Sequence, residues 1–182
     1  MSEETNYGPL KKLVGKWKGE KGLDIAPEPD GTEENSYYET LIIEEAGDVT
    51  NAEEQTLAVL RYHQVVRRKK NDKIFHDEVG YWMWDEASKT VMHSLAIPRG
   101  VCVLAGGTYA DEDELVIDVK ATTDDGHWNI VQSPFMSGKA KTVSFVHHIT
   151  VKGDTLSYKE VTGLEIYGKA FEHIDSNELV RV

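Results

Sequence analysis

From residue 36 onward, apolar and polar positions alternate with a period of about two in one short window after another: 36–44, 56–67, 73–84, 90–97, 101–110, 114–121, 142–151 and 155–167. Each window is rich in β-branched and aromatic residues and ends in turn chemistry, as at Asp85-Glu86-Ala87-Ser88, Pro98-Arg99-Gly100, Asp111-Glu112-Asp113 and Lys152-Gly153-Asp154. That pattern predicts strands joined by hairpin-length links, which pair antiparallel. Ahead of them, Gly15-Lys16-Trp17-Lys18-Gly19-Glu20-Lys21-Gly22 predicts a first strand that bends sharply while one large aromatic plugs the end of a closed sheet. Leu10, Leu13 and Val14 fall at helical spacing after Pro9, predicting one helical turn, and the run from Pro27 to Thr32 predicts a reversal. No helix-length segments alternate with the strands, which argues against a parallel α/β fold, and uniformly short links favour an up-and-down barrel over a sandwich. The expected fold is all-β, a single antiparallel up-and-down barrel of about 8–10 strands over residues 1–182, with a short N-terminal helical turn.

One stretch, 122–141, breaks the alternation and contains Trp128, Pro134, Phe135 and Met136; it reads either as a lid over the mouth of the barrel or as a strand with a packed loop. Charge narrows the partners. With 20 Lys and Arg against 32 Asp and Glu, the net charge of -12 repels nucleic acid and anionic membrane surfaces. The basic run Arg67-Arg68-Lys69-Lys70 reads as the wet tip of a hairpin. No apolar run approaches membrane-spanning length, and the N-terminus lacks the features of a signal peptide, so the cytoplasm is the expected compartment. The single cysteine, Cys102, excludes an intrachain disulfide; between Val101 and Val103 it is expected to be a buried, inert thiol.

Candidate chemistry rests on the histidines. On the strand 73–84, alternation places His76, Glu78, Gly80 and Trp82 on one face, where His76 reads as a cavity group or as a core histidine bonded to a neighbouring strand. His93 shares a face with Leu95 and Ile97, which with Trp82 would line an apolar pocket. Of the adjacent pair His147 and His148, only one can face inward; His63 and His127 read as peripheral. Arg99, in the Pro98-Arg99-Gly100 turn, reads either as a partner for an anionic ligand group or as a solvated turn residue.

Three stretches in order, 13–22, Phe75-His76-Asp77-Glu78-Val79-Gly80-Tyr81-Trp82, and Leu95-Ala96-Ile97-Pro98-Arg99-Gly100 with Gly106-Gly107-Thr108-Tyr109 beyond it, resemble the nitrobindin family of heme-binding β-barrels, which includes the C-terminal domain of a THAP-type zinc-finger protein. The resemblance implies a lipocalin-like, fatty-acid-binding-protein-like barrel holding heme b on a histidine close to the C-terminus. Here that is His173, which would be the iron ligand, with His76 pointing into the cavity. The family's histidine usually follows a proline in an apolar segment, whereas the run 171–179 reads as polar and turn-like, with Asp175 and Asn177 placed to fix His173. The expected function is binding of a small apolar ligand, heme through His173 included, without a catalytic residue. The alternatives are a heme-dependent peroxynitrite isomerase or nitric-oxide-binding protein, and a lipid carrier, for which the closing strand shows no Arg-x-Tyr pair. A second copy in a homodimer is the one protein partner considered.

Overall fold

The computed structural model describes residues 4–110 and 114–182; the start of the chain and the turn expected at Asp111-Glu112-Asp113 lie outside the described residues. After a 3₁₀ turn at Gly8–Leu13, the strands are β1 (Gly15–Glu28), β2 (Gly31–Asn51), β3 (Gln55–Arg68), β4 (Ile74–Asp85), β5 (Thr90–Ile97), β6 (Val101–Thr108), β7 (Leu115–Thr122), β8 (Asn129–Gln132), β9 (Ala140–Lys152), β10 (Thr155–Ile166) and β11 (Lys169–Arg181). One short helix, α1 (Pro134–Lys139), separates β8 from β9. Ten strands pair antiparallel around a closed barrel, with β9 following β7, and β11 returns to β1. The eleventh, β8, pairs with β6 over Val101–Leu104, while Gly106 of β6 stands in register with Lys120 of β7. A Cβ at Gly107 would lie 2.0 Å from the Asp118 carbonyl oxygen, so glycine is what lets β6 and β7 meet at this seam.

The bend expected near the start is a β-bulge. Between Gly19 and Gly22 the register of β1 against β2 slips by one residue, and the slip recurs against β11 between Gly19 and Leu23. A Cβ at Gly22 would sit 2.1 Å from the Tyr37 ring, so the bulge closes directly over that aromatic. Trp17 plugs the adjoining end: it is fully buried, its Nε1 donates to the Leu13 carbonyl at 2.8 Å, and the Arg181 guanidinium lies 4.0 Å from its ring centroid. Leu10, Leu13, Leu60, Leu115, Leu156 and Leu179 are fully buried in the same core cluster; each such side chain contributes about 1.5–3 kcal/mol by leaving water.

Two expectations change, and one open reading is resolved. The run 171–179 is no turn but the middle of β11, the strand that closes the barrel. Its alternation is disguised because the inward face carries His173, Asp175 and Asn177 where an apolar residue is usual. Cys102 is exposed, since the alternation of β6 turns Val101 and Val103 inward and the thiol outward. The stretch 122–141 resolves into β8 plus the helix α1. The Gln132 side-chain amide donates to the Thr142 carbonyl and accepts from the Thr142 amide, both at 2.9 Å, imitating a ladder pair. Ser133 caps α1 by accepting from the Met136 amide at 3.3 Å. Among the described residues, no helix is long and apolar enough to cross a membrane.

Candidate functional site

Towards the end opposite Trp17, the interior turns polar along one row of register. His147 on β9 faces Glu160 on β10, Glu160 faces Asp175 on β11, Asp175 faces Asp24 on β1, and Asp24 faces Asn35 on β2. The β1 bulge is what puts Asp24 in this row. Trp17 and Gly19 point inward, and an unbroken alternation would have sent Leu23 inward and Asp24 out; the extra residue reverses the two. Next to the row, His173 Nε2 lies 2.6 Å from Asp24 Oδ1 and 3.4 Å from Asp175 Oδ2. Asn35 Nδ2 donates to Asp24 Oδ2 at 2.8 Å. Asp24, His173 and Asp175 thereby bring one potential ligand atom each within 4.8 Å of one another.

Two further networks occupy the centre. Glu39 accepts from Gln64 at 2.7 Å, Tyr158 at 2.8 Å and Asn177 at 2.7 Å, and the Tyr37 hydroxyl lies 2.8 Å from that of Tyr158. Tyr62 donates to Glu78 Oε1 at 2.5 Å, which uses its one proton, so His93 Nε2, 2.7 Å away, is the donor to the Tyr62 oxygen. The His93 Nδ1 lone pair then has no partner. The ring stacks on Trp82 with centroids 3.8 Å apart. Beyond Glu78, His76 Nε2 approaches Oε2 at 3.3 Å, so a chain of contacts runs from buried His93 to half-buried His76.

Burial decides the protonation of the inner groups. It lowers His93 well below the usual histidine range and His147 to about 4, leaving both neutral near pH 7. It raises Glu39, against its three hydrogen bonds, and raises Glu160 well above the usual range, with Glu78, Asp175 and Glu39 adding to the effect. The His147 ring is therefore neutral where it approaches Glu160 at 3.5 Å, and the contact is no salt bridge. At the mouth the balance reverses. Burial opposes charge on His76 and His173, but Glu78 raises the first and Asp24 with Asp175 raises the second. Asp175 itself is pushed up to about 6, by burial first and by Asp24, against the pull of His173.

The expected site residues separate. His76 and His173 lie at the mouth, while His93 is deeper and sealed, so the three do not form one ligand set. Trp82 and Leu95 are core side chains, and Ile97 packs against the core from its edge. Arg99 is exposed, its Nη2 donating to the Phe75 carbonyl at 3.2 Å. Of the histidine pair, His147 points in and His148 points out to Asp118 at 2.7 Å. Asp24, Asn35, Glu39 and Glu160 were not among the expected residues. Glu39 shares the inward face of β2 with Leu41 and Ile43, a signal that alternation carries, but Asp24 is readable only with the bulge in hand.

The interior space bounded by His93, His147, Tyr62, Tyr158, Glu78 and Trp82 is about 20 Å³, room for one water. A larger hollow of about 580 Å³ lies on the outer wall between Ile42, Arg61, His63, Val79, Tyr81 and Ala96. Its polar lining is surface pairs such as Arg61–Glu44, so the chemistry belongs to the smaller interior space and the row beside it. A heme on His173 does not fit these residues as arranged. The ring nitrogen is held by Asp24, two carboxylates flank it, and the enclosed space is far below the roughly 300–1,000 Å³ of a cofactor pocket.

Residues 6–181 match the family described as the THAP4-like, heme-binding beta-barrel domain. Among solved structures, Rv2717c from M. tuberculosis superposes with a TM-score of 0.68 at 21% identity, covering 96% of this chain and 97% of that one. At that identity the likeness speaks for the fold alone. No curated protein matches the chain.

Proposed function

The chain belongs to the THAP4-like, heme-binding β-barrel family, and from that premise we propose that it binds a small polar or cationic ligand at the mouth of its barrel, around His173. One observation carries this reading. A row running through Glu160, Asp175 and Asp24 faces the interior beside His173, and buried carboxylates raise the free energy of a fold unless something compensates them. An apolar ligand would find little room among these groups. No residue is assigned a catalytic step.

Heme ligation through His173 is the second reading, favoured by the family match over residues 6–181. It requires His173 to leave both carboxylates and the interior to open. Thermal melts separate the readings, because a ligand that binds only the folded chain raises its melting temperature. Divalent cations, small amines and hemin are each added to the wild type and to His173→Ala. The proposal expects a cation or amine to raise the melting temperature of the wild type and to lose that effect in the variant. Stabilisation by hemin alone, with a visible absorption band that disappears in His173→Ala, would replace the first reading by the second.

A further inference from the structure

We propose that Asp24, His173 and Asp175 form a site for a divalent transition-metal cation of the zinc or manganese class. The inference deepens the reading of a ligand-binding mouth and rests on it. One imidazole nitrogen and two carboxylate oxygens are a donor set suited to such ions, and the three atoms already lie within 4.8 Å of one another. Asn35 holds Asp24 Oδ2 at 2.8 Å, the kind of outer contact that orients a metal-binding carboxylate, while Oδ1 is turned to His173 Nε2 at 2.6 Å, the contact an entering ion would replace.

Two independent features of the fold point the same way. The first is the bulge in β1. A one-residue slip that turns Asp24 inward, directly opposite Asp175, sets two like charges face to face, an arrangement that costs stability unless a positive charge lies between them. The His173 ring now occupies that position. When a cation takes the Nε2 lone pair, the proton on that nitrogen passes to solvent and the metal supplies the positive charge in its place. The second is His147, in the same row, which is buried with neither ring nitrogen hydrogen-bonded. Its bare nitrogens face the interior space with room for one water, two strands along the row from Asp175, so the protein's own side chains leave the row incomplete.

Chelator-stripped full-length protein is titrated with Zn²⁺ by calorimetry at neutral pH, in two buffers of different ionisation enthalpy. The expected result is one equivalent bound with proton release, affinity weakened about tenfold or more in Asp24→Asn and in Asp175→Asn, and little change in Glu160→Gln. Should Asp24→Asn fail to fold, Asp175→Asn and the visible spectrum of Co²⁺-loaded wild type carry the test, with His173→Gln expected to alter that spectrum. Absence of stoichiometric binding overturns the inference, as does binding that both aspartate variants retain, which would place the ion on exposed pairs such as His148 and Asp118. Uptake of hemin without Zn²⁺ or Co²⁺ overturns it too, while leaving a ligand-binding mouth in place.

Discussion

At the end closed by the 3₁₀ turn, β1, β2, β3, β10 and β11 turn Trp17, Ile43, Leu60, Leu156 and Leu179 inward. Four to seven residues away along the strands, β1, β2, β10 and β11 turn Asp24, Glu39, Glu160 and Asp175 inward instead. The same period-two geometry serves both ends, so topology does not account for the difference. The apolar end lowers the free energy of folding by removing area from water. The polar end raises it, and hydrogen bonds such as the three on Glu39 offset only part of the cost. The proposed ligand-binding mouth rests on that uncompensated cost beside a plugged core.

The strongest blow to the plugged end is Trp17→Ala, which empties a fully buried site and removes the bond to Leu13; urea unfolding should show a loss of about 3–5 kcal/mol. The polar half should reveal itself through acid. His147 titrates at about 4 in the fold and near 6.5 when unfolded, so its contribution is complete above pH 6.5 and fades as the pH falls towards 4. Stability followed over that range should drop by roughly 3 kcal/mol more in the wild type than in His147→Phe. A matching acid profile in the variant would mean that the ring is not sealed. Glu39→Ala strands the donors of Gln64, Tyr158 and Asn177, and denaturant melts should register about 2–3 kcal/mol. Outside the barrel, Glu44→Ala breaks an exposed pair with Arg61 and should cost below about 0.5 kcal/mol; a larger loss would show that the outer wall contributes more than the comparison of the two ends allows.

Much of this barrel was legible from alternation and turn chemistry: the antiparallel strands, the Trp17 plug, and the shared face of His76, Glu78 and Trp82. The mouth was not, for physical reasons that differ by residue. Asp24 reaches the interior only through a one-residue bulge, which reverses the face that strict alternation assigns. The run 171–179 read as a turn because a strand whose inward residues are His173, Asp175 and Asn177 lacks the apolar stripe that marks a strand. The row from His147 to Asn35 spans five strands, with partners separated by up to 151 residues between Asp24 and Asp175, and such contacts have no local signature. Cys102 looked buried because valines flank it, yet in a strand flanking residues face the other way.

Nitrogen-15 NMR of the imidazole rings, followed against pH in chelator-stripped protein, tests most directly whether the barrel is divided into a sealed, neutral interior and a charged mouth. His93 and His147 should stay neutral at pH 6 while His76 and His173 are still protonated above pH 6.5. Four rings titrating together near pH 6.5 would contradict that division.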